Sequence, residues 1–412
     1  MARHIRNRNA DPVDPVASSA ALLRRIGFMI LMIVIPVLAL ISRRSIVVLM
    51  PVALILIIIA ALIDGAQRPM GRVNRAFVAS PPVLATLVLV IWVFLSLIWT
   101  PYLDPALSRA VSILATCALG LAGYYLLPER MRAANLYLIP VGVALAAVVA
   151  ALIAFGMRAG IITWADPATF ERGLVVLVMA VWPAVAWLSS RGRDAQALAV
   201  AGAVGIVALV GPGPLPMIAF AVGAVVVVLT TGFPRAVMSV LTVAAPVLIV
   251  AAPFAPFLVA PFGAGVPGGT LDGLGVWRHL ILDDPMRLIT GHGLEAALRA
   301  RVTGELSWNA PGSLLFEIWY ELGLVGAVSL AIALAGAVRA AGRRHPALVP
   351  GGMGAFASAF TLGLFGVATT QMWWLTALIV IALIFVCVAR GQYRTKRPRV
   401  LVPGLQRNTF ET

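Results

Sequence analysis

Long apolar runs separated by short polar loops dominate this chain, and they leave few folds open. One of them reads SIVVLMPVALILIIIAALI, and another MWWLTALIVIALIFVCVA. A helix of about 20 apolar residues spans the roughly 30 Å hydrocarbon core of a bilayer. In lipid each backbone N–H and C=O must be satisfied within the segment, so repeated runs of this length specify helices. The expected fold class is therefore all-α, a polytopic inner-membrane helical bundle of about 12 transmembrane helices. The expected spans are 26–41, 46–63, 83–99, 108–127, 136–155, 174–188, 197–210, 215–230, 236–260, 313–338, 350–370 and 373–390. Pro183, Pro212, Pro214, Pro216 and Pro246 are expected to kink the helices that contain them. Only 11% of the 412 residues are charged, against about a quarter in an ordinary soluble domain.

The net charge of +15 would suit a polyanion-binding protein. Its placement argues against nucleic acid, because the arginines sit between and beside the apolar runs. Cytoplasmic loops of membrane proteins carry the excess of Lys and Arg. With the N-terminus inside, the inner segments hold most of the 31 basic residues, among them Arg24, Arg25, Arg130, Arg132, Arg191 and Arg193. The outer positions keep Arg43, Arg44, Arg109, Arg158, Arg172, Arg278, Arg287, Arg299 and Arg301. Both termini are thus expected in the cytoplasm. The organisation becomes a cytoplasmic tail (1–25), nine spans (26–260), a periplasmic loop (261–312), three spans (313–390) and a basic tail (391–412). No small-residue cleavage site follows the first apolar run, so that run is read as a retained span. Cys117 and Cys387 fall in different spans, and no His or Cys cluster accompanies them. Neither a disulfide framework nor a metal site is expected, and no cofactor is implied.

Chemistry, if present, belongs to the long polar connection after the ninth span and the helix that follows it. GVWRHLILDD can form a short amphipathic helix, with His279 and Asp283 as an i,i+4 pair and Arg278 beside them. GHGLEAALRARVTGEL suggests a second, with Glu295 four residues before Arg299. Both are expected to lie at the membrane mouth with their charged faces wet. His292 sits between Gly291 and Gly293, and a histidine of ordinary pKa can serve as a general base near neutral pH. The tenth span opens after Pro311 with Ser313 as N-cap. Glu317 and Glu321 share one face of it, with Trp319 and Tyr320 between them. Two carboxylates at that depth must face the bundle interior, water or arginine. They can pair with outer arginines and fix the loop, or act as base and orienting group. Arg172 has two readings as well: snorkelling at a span edge, or a planar fork for phosphate oxygens.

Pro311-Gly312-Ser313, then Leu314-Leu315-Phe316-Glu317-Ile318-Trp319-Tyr320, then Glu321-Leu322-Gly323-Leu324-Val325-Gly326, resemble the signature of the O-antigen ligase and polymerase superfamily. Trp277, Asp284-Pro285 and Gly291-His292-Gly293 are similar to that family's loop helix and glycine turn, and Arg172-Gly173 to its arginine that opens a span. LSLIWTPYLDPALSRA (95–110) is similar to its early tryptophan-containing loop. The resemblance implies a GT-C-type integral membrane glycosyltransferase, independent of metal. The donor would be a glycan on undecaprenyl pyrophosphate, and the acceptor a sugar hydroxyl on lipid A–core or on a growing polysaccharide. Membrane lipids complete the implied partners. On this reading Arg172, Arg278 and Arg287 hold the pyrophosphate, His292 is the first-choice base with His279 second, and Glu317 or Glu321 orients. The sequence departs from the family pattern at two places. Gly312 and Ser313 stand where members carry histidine and asparagine, and Gly273 stands near the position of a loop arginine. Either the base has moved to His292 or His279, or the chain is a scaffold of a polysaccharide system without turnover. A 12-span secondary transporter is the remaining class. Such proteins usually show two related halves and intramembrane polar sites, and neither is read here.

Overall fold

A computed structural model describes residues 15–65, 80–259, 270–343, 345–366 and 371–392. Among these residues every regular element is a helix. In chain order the principal helices are α1 (Pro15–Met29, continued through Ile30–Val34 and Ile35–Leu38), α2 (Ser45–Ile63), α3 (Pro81–Leu95), α4 (Leu103–Leu126), α5 (Leu138–Arg158), α6 (Pro167–Ser190), α7 (Asp194–Val210) and α8 (Leu215–Gly232). They continue with α9 (Pro234–Ala251), α10 (Thr270–Asp283), α11 (Arg287–Thr290), α12 (Ala296–Thr303), α13 (Leu314–Gly342), α14 (Val349–Phe365) and α15 (Met372–Arg390). Among the described residues, eleven helices are long and apolar enough to cross a membrane. The expected seventh span, α7, is apolar but only 17 residues long.

Helix α6 is the axis of the bundle. Of its most apolar stretch, 83% is buried, against 11% for the span containing α3. That difference separates a helix surrounded by protein from one that must face lipid. Trp182 and Trp187 of α6 are among the largest fully buried side chains. The Trp182 indole N–H donates to Ser358 Oγ at 2.8 Å, and that hydroxyl donates to the Ala219 carbonyl at 2.8 Å. One polar chain thus ties α6, α14 and α8 together without an orphaned group, as an apolar interior requires.

Proline explains the irregularities of the spans. Pro36 has no N–H and its ring crowds the carbonyl four residues back. Just before it, Ile30–Val34 is wound as a π-turn. Gly142 of α5 lies so close to Met32 that a Cβ there would overlap the Met32 carbonyl. Pro183 and Pro246 lie inside α6 and α9 as expected, and Pro51 lies inside α2. Pro212 and Pro214 instead occupy the turn before α8, and Pro216 its first residues, where no N–H is missed.

Two ends of the bundle are distinct. At one, Arg191 donates to the Gly391 carbonyl (2.9 Å), Arg390 donates to the carbonyls of Leu127 (2.6 Å) and Tyr124 (3.0 Å), and Arg24 pairs with Asp64. This is the basic end. At the other, the mouth, α10–α12 fold back over the start of α13. Residues 261–269, the first part of the expected loop, and residues 1–14 and 393–412 of the expected tails lie outside the described residues.

Candidate functional site

The site is built on a break in a helix. Ser313 caps α13, its Oγ accepting from the Phe316 N–H at 3.3 Å. Ten residues after Ser313, Gly323 leaves helical geometry, with φ 61° and ψ −155°. A broken ladder frees carbonyls, and in an apolar setting they need other donors. Three consecutive carbonyls receive them from outside the helix. Tyr320 O accepts from the His292 N–H (2.8 Å), Glu321 O from the Gly293 N–H (2.9 Å), and Leu322 O from the Trp92 indole N–H (2.8 Å). The glycine turn 291–293 is therefore the plug of this break. Gly291 and Gly293 have φ of 72° and 96°, a region that L side chains avoid. A Cβ on Gly323 would sit 2.5 Å from the Ile289 carbonyl oxygen. The glycine of the Glu-Leu-Gly run is thus required by backbone contact.

His292 is held twice. Besides its N–H, its ring Nδ1 lies 3.0 Å from the Tyr320 carbonyl. A carbonyl can only accept, so Nδ1 carries the proton and Nε2 is left as an acceptor. The imidazole stacks on Tyr320 at 4.1 Å. Burial pushes its pKa below the usual histidine value, with the Tyr320 carbonyl acting in the opposite sense and the Arg287 charge reinforcing the shift. The shift favours the neutral ring, and the Tyr320 carbonyl defines its tautomer. Arg287 pairs with Asp284 at 3.6 Å. His292, Arg287, Asp284, Trp277 and Tyr320 line one recess of about 20 Å³, room for a water molecule at most.

Below the turn lies a buried group of charges. Glu317 is 0%, Glu321 3%, Glu295 7% and Arg301 8% exposed. Arg301 faces Glu317 at 3.9 Å and donates to the carbonyls of Pro311 (2.9 Å) and Ala310 (3.4 Å). Glu321 accepts from the Ala297 N–H at 3.2 Å. Arg109 of α4 adds a second cation whose field reaches Glu295, Glu321 and Glu317. Burial raises the Glu295 carboxyl above its usual range, with Arg109 and Arg299 pulling it back. On α10 the charged residues Arg278, His279 and Asp283 are exposed as expected, but for the second helix the expectation of a wet charged face is corrected here. Glu295 takes a left-handed conformation (φ 66°) ahead of α12 instead of lying on it, and α12 packs against α13. Arg301 and Glu295 are consequently turned inward.

Beside this group is a cavity of about 760 Å³ with a largely apolar wall. Leu248, Ala252, Leu258, Trp277, Gly312 and Phe365 line it. Trp277 packs edge-on against Phe316 at 5.4 Å and borders both this cavity and the recess of His292. At Gly312 an added Cβ would meet nothing within 4 Å.

No family model, curated protein or solved structure matches the chain. The site must be read from its own geometry.

Of the residues singled out from sequence, the structure joins His292 and Arg287 in one recess, and Glu317 and Glu321 in the charged group. Arg278 and His279 are exposed on α10, with the Arg278 guanidinium 5.7 Å from the Phe257 ring centre. Arg172 lies in the second turn of its helix. Asp166 caps α6, accepting from the Thr169 N–H (3.1 Å), and Pro167 starts it, so Arg172 lies within the helix, 6.0 Å from the Trp373 ring centre. Arg43, one of the outer arginines, pairs with Asp166 and donates to Thr169 Oγ1 at 2.7 Å. Its guanidinium holds the Asp166 carboxyl well below the usual range. Sequence reasoning placed Arg109 and Arg301 outside without giving them a role. The available signal was an ionisable residue at a span edge, which is expensive there unless partnered. No group of His, Cys, Asp and Glu suited to a metal occurs among the described residues.

Proposed function

We propose that the chain transfers a glycan from a polyprenyl-pyrophosphate carrier to a sugar hydroxyl, at the mouth of the bundle. One observation carries this reading. An apolar cavity and a recess holding a neutral histidine and an arginine meet at a single side chain, Trp277. A donor that is hydrocarbon at one end and charged at the other would lay its chain in the cavity and bring its pyrophosphate over the outer edge of the recess, which itself holds a water at most.

In this mechanism the acceptor hydroxyl gives its proton to Nε2 of His292 as its oxygen attacks the anomeric carbon. The bond from that carbon to the phosphate oxygen breaks, and the pyrophosphate leaves with the bonding pair. Its charge falls to Arg287, with Arg278 on the exposed face of α10 available to the outer phosphate. Asp284 positions Arg287. Glu317 and Glu321 hold the mouth together through Arg301, Arg109 and α12; they do not touch the reacting atoms. Arg172 joins none of these groups and takes the snorkelling role. The same reading puts residues 270–312 on the periplasmic side of a bacterial inner membrane, with both termini in the cytoplasm.

The test is transfer by the purified full-length protein in nanodiscs, with a lipid-pyrophosphate-linked oligosaccharide as donor and released polyprenyl pyrophosphate as readout. The expected result is release that requires an acceptor and falls by about 10²–10⁴ in His292→Asn. Asparagine keeps an N–H donor for the Tyr320 carbonyl, so the turn is preserved while the base is lost. Donor binding without release would make the chain a scaffold, the reading that glycine at position 312 favours. No donor binding would return it to the transporter class.

A further inference from the structure

The basic end of the bundle contains a pocket that the reaction at the mouth does not use. Its volume is about 500 Å³, and Arg24, Arg25, Arg130, Arg132, Met131 and Asn135 are among its lining residues. It lies between α1, the connection after α4 and the start of α5. Four guanidinium groups line it, and no carboxylate does. Arg24 is held by Asp64, at the C-terminus of α2. Its Nε is nevertheless buried with no hydrogen-bond partner. Arg25 and Arg132 are exposed and make no hydrogen bond or ion pair among the described residues. Glu129 is the nearby acid, and it stands exposed outside the lining.

The arginines at the same end that do have a structural task look different. Arg191 and Arg390 spend their N–H groups on backbone carbonyls and lie over the rings of Trp187 and Tyr124. Arg25 and Arg132 do neither. Two guanidinium groups left without internal acceptors, Arg25 and Arg132, beside two more in a concave site of this size, match the oxygens of a phosphate.

The surroundings select the source of that phosphate. From the pocket, α1 continues with Leu22, Ile26 and Met29, all exposed. At spacings of four and three residues they form one helix face. On α5, Val141, Leu145 and Val148 repeat the pattern, and they are exposed as well. α5 packs against the π-turn of α1. Two apolar faces thus run from the arginines along the depth of the bundle, where acyl chains would lie. Basic pockets between spans are the usual form of an anionic headgroup site.

We propose that this pocket binds the phosphodiester headgroup of an anionic phospholipid in the adjoining leaflet, with Arg25, Arg130 and Arg132 on the phosphate and the acyl chains along α1 and α5.

The full-length protein, purified in detergent, would be titrated with phosphatidylglycerol or phosphatidylcholine and the bound lipid counted by native mass spectrometry. One phosphatidylglycerol per chain should be retained in preference to phosphatidylcholine. Arg25→Gln with Arg132→Gln should weaken it by about 25-fold, at roughly five-fold for each arginine near a headgroup. Both residues are exposed and unpaired, so the double variant is expected to fold. Arg193→Gln is the control at the same end, because Arg193 stacks on Tyr137 and does not line the pocket. Equal retention of the two lipids, or unchanged binding in the double variant, would overturn the proposal. Complete displacement by millimolar inorganic phosphate would also overturn it, because the site would then take free anions and not lipid.

Discussion

The two ends of this bundle use arginine in opposite ways. At the mouth, Arg109 and Arg301 are drawn into a buried group with Glu295, Glu317 and Glu321. At the basic end, Arg25 and Arg132 stand exposed around a pocket without a carboxylate. Taking charge out of water is expensive unless it is paired and hydrogen-bonded. The mouth supplies Arg301 with Glu317 and two carbonyls and Glu321 with the Ala297 N–H, although Arg301 Nε is left unbonded, and gains a fixed architecture for the turn that carries His292. At the basic end Arg24 has Asp64, but Arg25 and Arg132 have no acceptor among the described residues, so these two cations stay available to something outside the chain. Arginine content alone therefore says little about role; the presence of an internal acceptor decides it.

This contrast can be broken most forcefully at Glu317. Glu317→Ala leaves Arg301 without its carboxylate and should cost about 3–5 kcal/mol, the usual penalty for removing one partner of a buried pair. Thermal unfolding in detergent would show it, and an unchanged midpoint would mean that the group does not brace the mouth. Gly323→Ala comes next. A positive φ and the 2.5 Å approach of the Ile289 carbonyl oxygen predict a loss of about 1–3 kcal/mol, the range for strained backbone. Trp92→Phe removes the donor to the Leu322 carbonyl and should cost about 1 kcal/mol. At the basic end Arg25→Gln should change stability by less than about 0.5 kcal/mol, as surface substitutions do. A large loss there would show that Arg25 is a structural residue after all.

Much of the fold was legible in the sequence, for a physical reason. Span length is set by the bilayer, so the apolar runs at 46–63 and 373–390 match α2 and α15 to within a residue. Span starts were less legible, because a cap can begin a helix before its apolar run does. Asp166-Pro167 starts α6 well ahead of the run, and that is why Arg172 falls inside it. The i,i+4 register of Glu317 and Glu321 was readable, and so was the option that they pair with an outer arginine. Which arginine was not, since Arg301 and Arg109 are brought in by the packing of α12 and α4. The role of Gly323 was also hidden. A glycine within a helical pattern is usually tolerated there, and only the opposing turn shows that it marks a break.

The most direct test of the central claim is the pH dependence of polyprenyl-pyrophosphate release, in wild type and His292→Asn. Burial lowers the His292 pKa, so the neutral base is fully present above the ordinary histidine value and is lost only as pH falls through the lowered one. The account predicts an acid limb centred below about pH 6.5, carried by His292, with His292→Asn slow at every pH. Release with an unaltered profile in His292→Asn would contradict it.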